Sequence, residues 1–200
     1  MKEVIRFGSP LARFEVDQAM VDELNRISDF ILKDGQIPAK YDFTKRLASA
    51  VDIEFKIPFE LMEEIKAQLE AYALEYHESF CEKSYKKPNS QARMTTCWIV
   101  SQKAGEWNYL HRHSDSISGV LYLKVPSDFS PGVSEGNGKR RHPGEIAFTE
   151  GAGNFYKATT INRIPRVGDL YLFPSDLLHT VYPFFGPEER RSFAFNFKIE

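Results

Sequence analysis

Long apolar runs are absent from this sequence of 200 residues. A membrane-spanning helix needs about 20 consecutive apolar residues, and no segment approaches that length. No apolar stretch of the signal-peptide type stands near the first residue either. The sequence also has no large excess of charge of one sign, because its 26 Lys and Arg residues are balanced by 28 Asp and Glu residues. The resulting net charge of -2 gives no signal for nucleic acid or an anionic membrane as a partner.

Cysteine is scarce, with only Cys81 and Cys97 in the chain. Cys97 lies in an apolar, strand-like run, which favours a buried thiol, although a single disulfide stays open at this stage. We therefore expect a reducing, cytoplasmic compartment. Internal repeats and low-complexity tracts are also missing from the sequence.

Residues 1–92 carry the helical patterns. Two short extended segments around Gly8 and Pro10 come first, and Asp17 can then cap a helix that ends at Gly35. A half-buried strand is predicted over residues 51–57, where apolar and polar residues alternate. A longer helix follows Pro58, with its apolar stripe at Leu61, Ile65, Leu69, Tyr72, Tyr76 and Phe80.

Residues 93–200 have a different character, since short β-branched and aromatic runs alternate with turn signals. The candidate strands are residues 95–101, 109–113, 117–125, 145–149, 169–173, 180–184 and 192–198. Many short strands without helical crossovers indicate a sandwich or a closed antiparallel barrel. We expect one domain over 1–200, in which helix-rich residues 1–92 support a β core of residues 93–200. The long, glycine-containing segment 126–144 has the length of a functional loop, and we consider it a candidate lid over a substrate entrance.

His113 and Asp115 are the first candidates for chemistry. Residues two apart face the same side of an extended strand, so an imidazole and a carboxylate at this spacing can bind one metal. A histidine from a distant strand would complete the facial triad of non-haem Fe(II) oxygenases. His179 is suitable for this role because it follows a strand that begins after Gly168 and ends at Pro174, where the mouth of a sheet is expected.

A carboxylate-binding pair is predicted about eleven residues beyond His179. Arg190 and Ser192 share one face of the last strand, together with Ala194 and Asn196. Arg191 instead shares the other face with the following phenylalanines. A planar guanidinium beside a hydroxyl is a good clamp for a carboxylate group.

Taken together, these residues resemble the pattern of the 2-oxoglutarate/Fe(II) oxygenases, particularly the prolyl-hydroxylase-like branch. The similarity covers residues 93–198 and consists of a His-x-Asp, a distal His and an Arg-x-Ser. It implies a double-stranded β-helix (a jelly-roll or cupin-like barrel) with N-terminal helices packed on it. It also implies Fe(II), 2-oxoglutarate and dioxygen as cofactor and cosubstrates.

The resemblance assigns roles residue by residue. The iron ligands and catalytic residues would be His113, Asp115 and His179. The 2-oxoglutarate carboxylate would pair with Arg190 and Ser192, helped by Tyr122 from the run after the His-x-Asp. We expect Asn196, which faces inward, to reach the bound cosubstrate.

Each residue also has an ordinary structural interpretation. Asp115 can cap a turn, His179 and Tyr122 can be core residues, and Arg190 can belong to a charged turn. A cupin-type metal enzyme would use His111 with His113 and His179, but it leaves the Arg-x-Ser pair unexplained. If the chain were a non-catalytic jelly-roll that binds sugar or protein, chance alone would account for the order of the His-x-Asp, the distal His and the Arg-x-Ser.

The predicted activity is hydroxylation of a peptide side chain, of prolyl type, or of a small molecule, with release of succinate and carbon dioxide. The primary substrate and the oligomeric state stay open.

Overall fold

A computed structural model describes residues 3–6, 8–32, 36–46, 49–81, 86–127, 143–153 and 158–200. The chain opens with the hairpin of β1 (Glu3–Arg6) and β2 (Pro10–Glu15), followed by helix α1 (Gln18–Ile31). Strand β3 (Glu54–Lys56) precedes helix α2 (Glu63–Phe80). Short 3-10 turns lie at Thr44–Arg46 and Phe59–Leu61.

The remaining elements are strands. They are β4 (Ala92–Gln102), β5 (Asn108–His111), β6 (Ile117–Lys124), β7 (Ile146–Thr149), β8 (Thr160–Arg163), β9 (Asp169–Pro174), β10 (Leu178–Val181) and β11 (Arg190–Ile199).

Two antiparallel sheets form the core. The major sheet has the order β1-β2-β9-β6-β11-β4-β3, and the minor sheet has the order β5-β10-β7-β8. An apolar cluster between them contains Val120 and Phe173 of the major sheet and Phe148 of the minor sheet. This is the double-stranded β-helix that the family resemblance implies. Three strands from the N-terminal residues extend its major sheet.

Both helices pack on the outer face of the major sheet. Alternation along β11 points Phe193, Phe195 and Phe197 toward this side, where they form one buried cluster with α1 and α2. Asp17 caps α1 as predicted, because its Oδ1 accepts from Met20 N at 2.9 Å. The predicted end of that helix at Gly35 lies outside the described residues, and the helix itself ends at Ile31.

The strand predictions fail at three points. Strand β8 was not predicted, because its sequence Thr-Ile-Asn-Arg is short and polar and forms a partly exposed edge of the minor sheet. Strand β10 is Leu178–Val181 rather than 180–184. Strand β5 ends at His111, two residues before the predicted end, so His113 and Asp115 lie beyond the strand.

Both cysteines are free, and Cys97 is buried as expected. Its Sγ lies 3.3 Å from the Ile57 carbonyl oxygen, and burial raises the pKa of the thiol to about 12. Among the residues described, neither helix has the length and apolar character needed to span a bilayer. The segment 126–144, which the sequence suggests as a lid, lies outside the described residues except at its two ends.

Candidate metal and cosubstrate site

Three histidines meet at one end of the space between the sheets. His111 of β5 and His179 of β10 are directly opposite in the strand register, and their ring centroids are 4.2 Å apart. The ring of His113 lies 5.1 Å from that of His111 and 5.2 Å from that of His179. The ligand nitrogens of all three lie within 4.8 Å of one another, and no other such His, Cys, Asp or Glu group occurs in the described part of the chain.

Hydrogen bonds orient two of these rings. His111 Nδ1 lies 2.6 Å from the Tyr109 carbonyl oxygen, and His179 Nδ1 lies 2.9 Å from the Leu177 carbonyl oxygen. A carbonyl can only accept, so each Nδ1 carries the proton and each Nε2 keeps its lone pair. This is the arrangement that metal-binding histidines show in proteins.

The environment keeps the three imidazoles neutral. Burial, reinforced by the neighbouring His111, lowers the pKa of His179 to about 3. Burial also lowers the pKa of His113 to about 4, although Asp115 acts in the opposite direction. The pKa of His111 is lowered by burial as well. Neutral imidazole is the form that binds iron, zinc, nickel or copper, so the cluster suits a transition metal.

Asp115 does not join the histidine cluster. Its Oδ2 accepts from Thr95 Oγ1 at 2.9 Å, and its side chain lines an open cleft with Phe43, Arg112 and Ser114. The cleft measures about 460 Å³ and reaches His113. His113 therefore lies between this cleft and the interior pocket, whose volume is about 50 Å³.

Arg190 lies on the same interior pocket as the three histidines. It is 1% exposed, and its Nη1 donates to Gln102 Oε1 at 2.9 Å. Its Cζ lies 4.9 Å from the centre of the Tyr122 ring. Its Nε and Nη2 and the buried Tyr122 hydroxyl have no hydrogen-bond partner of standard geometry among the described residues, although the guanidinium and the hydroxyl interact with each other. Unpaired buried donors beside a metal-binding cluster fit a carboxylate ligand, because leaving such groups unpaired is costly.

Arg191 points the other way, as the strand alternation predicts. Its Nη1 donates to Asp29 of α1 at 2.7 Å, and its Nε donates to Glu189 at 2.7 Å. Arg191 thus ties β11 to the helical layer.

Ser192 and Asn196 share the inward face of β11. Ser192 is buried and lines the interior pocket. Asn196 is held between two strands, because its Oδ1 accepts from Ser118 Oγ at 2.7 Å and its Nδ2 donates to Thr96 Oγ1 at 3.0 Å. Its side chain borders the open cleft rather than the interior pocket.

The structure therefore brings His113, His179, Arg190 and Ser192 of the predicted set to one pocket, and Tyr122 packs against Arg190. Asp115 and Asn196 lie at the neighbouring cleft. Two residues that contact this predicted set, His111 and Gln102, were not assigned to this activity from the sequence. His111 was assigned to the rival cupin interpretation, and its signal was its two-residue spacing from His113. Gln102 carries no motif, and only its register position opposite Arg190 identifies it.

Comparison with known proteins agrees with this geometry. A family model described as 2OG-Fe(II) oxygenase matches residues 96–196, just over half of the chain. No curated protein sequence matches the chain.

Solved structures show the same fold at low identity. A prolyl-4-hydroxylase from Pseudomonas putida is 14% identical, with a TM-score of 0.60 over 94% of this chain and 91% of that one. The viral collagen prolyl hydroxylase of Paramecium Bursaria Chlorella virus-1, in complex with 2OG, is 16% identical, with a TM-score of 0.54 over 94% and 96%. HygX from Streptomyces hygroscopicus, with nickel and 2-oxoglutarate bound, is 10% identical, with a TM-score of 0.59 over 94% and 81%.

The sequence order of the site residues, the double-stranded β-helix and the family match all point the same way. The chain belongs to the 2OG-Fe(II) oxygenases and is an enzyme that uses Fe(II), 2-oxoglutarate and dioxygen.

Proposed function

We propose that this enzyme hydroxylates a peptide side chain of prolyl type, or a small molecule, at the cleft beside His113. The observation that carries this proposal is the pairing of two features in one interior pocket. The histidine cluster and the buried guanidinium of Arg190 both line this pocket. These two groups would match a ligand with a chelating end and a carboxylate end, once the narrow pocket widens to admit it.

The histidine cluster would hold Fe(II), with His113 and His179 as two of the ligands. The third is either Asp115, as the sequence predicts, or His111, which lies in the observed cluster. Bound Fe(II), 2-oxoglutarate and dioxygen supply the oxidation and release succinate and carbon dioxide. The protein supplies orientation and a pocket that excludes bulk water.

The far carboxylate of 2-oxoglutarate would be bound by Arg190. Gln102 fixes the orientation of the guanidinium, leaving Nε and Nη2 to donate. Ser192 borders the same pocket, and the Tyr122 ring packs against the guanidinium. The pocket is narrow, so we expect its side chains to shift when the cosubstrate enters.

The substrate would occupy the open cleft. Its volume of about 460 Å³ lies within the range of small-molecule sites, roughly 300–1,000 Å³. Phe43 and Trp98 form an aromatic pair with centroids 5.9 Å apart on its wall, and Trp98 also contacts His113. Apolar ring faces beside polar groups suit a prolyl side chain or a small molecule with an apolar face. Among the fold neighbours, two are prolyl hydroxylases and one, HygX, has a structure with hygromycin B bound.

The test begins with anaerobic binding of Fe(II) and then 2-oxoglutarate, followed by charge-transfer absorbance. Oxygen is then added with proline-rich peptides, matched peptides without proline, or aminoglycosides, and succinate and hydroxylated product are measured. The proposal requires product formation coupled to succinate with one of these classes. Binding of Fe(II) and 2-oxoglutarate without coupled product from any class would overturn the assignment of the substrate. Absence of 2-oxoglutarate binding by iron-loaded protein would overturn the site itself.

A further inference from the structure

Three features single out the ring of His111 among the residues near the site. It lies directly opposite His179 in the β5–β10 register, so the two rings are held by backbone pairing rather than by a flexible loop. Its Nδ1 hydrogen bond to Tyr109 leaves Nε2 available, as the Leu177 bond does for His179. Its ligand nitrogen lies within 4.8 Å of those of His113 and His179.

Asp115 differs in each of these respects. Strand β5 ends at His111, so the alternation that would place Asp115 on the same side as His113 does not apply to it. Its Oδ2 is engaged by Thr95 Oγ1, and its side chain borders the open cleft beside Arg112. The structure thus separates a group of three imidazoles from a carboxylate that borders the open cleft.

We propose that His111 is the third metal ligand, so that the metal is bound by three imidazoles and Asp115 is a residue of the open cleft. This rests on the proposed function, because it takes the histidine cluster as the iron site. A site of three imidazoles keeps the full double charge of the metal, whereas a carboxylate ligand would reduce it by one. The metal then attracts the dianionic cosubstrate more strongly, and nitrogen-preferring metals such as Ni(II) and Cu(II) are favoured over Mn(II).

The wild-type protein can be tested first, without any substitution. Apo protein is loaded anaerobically with one equivalent of Cu(II), and nitrogen hyperfine structure is recorded by electron paramagnetic resonance. Three coordinated imidazoles are expected. Two imidazoles in the wild-type spectrum would overturn the proposal, and this measurement does not depend on how any variant folds.

Matched variants then separate the two candidate ligands. Ni(II) affinity is measured by calorimetry for His111→Ala, His111→Gln, Asp115→Ala and Asp115→Asn, with His77→Ala as a histidine control on α2. Loss of an outer hydrogen bond to a ligand already costs about 10–100-fold in metal affinity, so loss of a ligand should cost at least about 100-fold. We expect that loss in both His111 variants, and a change of less than about threefold in both Asp115 variants and in His77→Ala.

The outcomes distinguish this inference from the proposed function. Strong loss in the Asp115 variants would overturn the three-imidazole site, whether or not His111 also contributes. Retained affinity in both His111 variants would overturn it as well. Failure of the proposed function looks different, because wild-type protein would then bind no metal, or His179→Ala would bind it unchanged.

Discussion

At the scale of single residues, Arg190 and Arg191 show how one position along a strand changes the role of a side chain. Arg190 is buried beside Tyr122 with two donor atoms unpaired, whereas Arg191 reaches α1. Breaking a desolvated ion pair costs roughly 3–5 kcal/mol, which is on the order of a hundred- to a few thousand-fold in affinity. We therefore expect Arg190→Ala to raise the KM for 2-oxoglutarate by that factor, and Arg191→Ala to change it by less than about tenfold.

Steady-state kinetics on iron-saturated protein measure this difference, and thermal melts check that both variants fold. The Ni(II) affinity of Arg190→Ala should stay close to that of the wild type, because the role proposed for Arg190 is to bind the cosubstrate carboxylate and not the metal. If Arg191→Ala raised the KM for 2-oxoglutarate more than Arg190→Ala did, Arg190 would have a structural role only.

Glu54 is a buried carboxyl group outside the proposed machinery. It is 0% exposed, and Ser49 Oγ donates to its Oε2. Burial raises the pKa of Glu54 to about 7, and Ser49 opposes this shift only in part. A raised carboxyl pKa in the folded state means that the folded chain holds the proton more tightly than the unfolded chain. The stability contributed by the protonated form is present below about pH 4.5 and is lost as the pH rises through about 7.

Glu54→Gln should therefore be more stable than the wild type at pH 8 but not at pH 4. The shift of the pKa from 4.5 to about 7 corresponds to at most about 3 kcal/mol at 1.36 kcal/mol per unit. Urea unfolding of both proteins across this pH range measures the difference, and Glu60→Gln, at an exposed position, serves as control. A constant difference between wild type and Glu54→Gln at all pH values would rule out titration of Glu54 as the cause.

At the scale of elements, β6 can pack under the helices only because of Gly119. A Cβ at this position would overlap the Phe195 ring and would lie 2.7 Å from Leu172 Cδ2. These neighbours belong to β11 and β9, which flank β6 in the major sheet. Overpacking of this kind typically costs about 1–3 kcal/mol. We expect Gly119→Ala to lower the Tm by roughly 3–10 °C, since about 2–4 °C corresponds to 1 kcal/mol in a domain of this size.

A double-mutant cycle identifies the cause of that loss. If the Phe195 ring is the obstacle, Gly119→Ala combined with Phe195→Leu should be less destabilised than the sum of the two single variants. Strict additivity would mean that the Cβ is accommodated in another way and that the contact with Phe195 does not limit the packing.

The point at which β5 ends explains why the site predicted from the sequence differs from the observed site. Alternating residues predict one continuous strand from Tyr109 to His113, which would align His113 with Asp115. The pairing of β5 with β10 instead ends at His111, and the backbone N–H of His113 donates to the Ser175 carbonyl oxygen at 2.7 Å. The side chain of Asp115 is therefore directed by a bend in the backbone and not by strand periodicity.

At the scale of the whole molecule, the proposed site joins elements that are far apart in the sequence. His179 and His111 come from the minor sheet, whereas Arg190 comes from the major sheet. Metal binding should therefore stabilise the folded state as a unit. At a free metal concentration 100 times the Kd the expected gain is about 2.7 kcal/mol, or roughly 5–10 °C in Tm.

This linkage is measured by thermal melts of apo protein with Ni(II), then with Ni(II) and 2-oxoglutarate together. His179→Ala should lose both increases in Tm. Arg190→Ala should keep the metal-induced increase and lose the one due to 2-oxoglutarate. Stabilisation of His179→Ala by metal as large as that of the wild type would place the metal elsewhere.

The sequence by itself determined the class of fold and the chemistry. Periodicity of two along β4, β6, β9 and β11 is a local property of the chain, and so are the opposite directions of the Arg190 and Arg191 side chains, because side chains on a strand must alternate. The order of histidine, distal histidine and Arg-x-Ser likewise predicted the family to which the chain belongs.

Only the tertiary structure decided which groups meet. The contact of His111 with His179 depends on the pairing of two strands almost seventy residues apart in the chain, and the bond between Gln102 and Arg190 depends on the β4–β11 register. No local pattern determines such long-range register or the end of β5. For this physical reason the sequence predicts a metal site near His113 and His179, while the folded chain places His111 rather than Asp115 beside them.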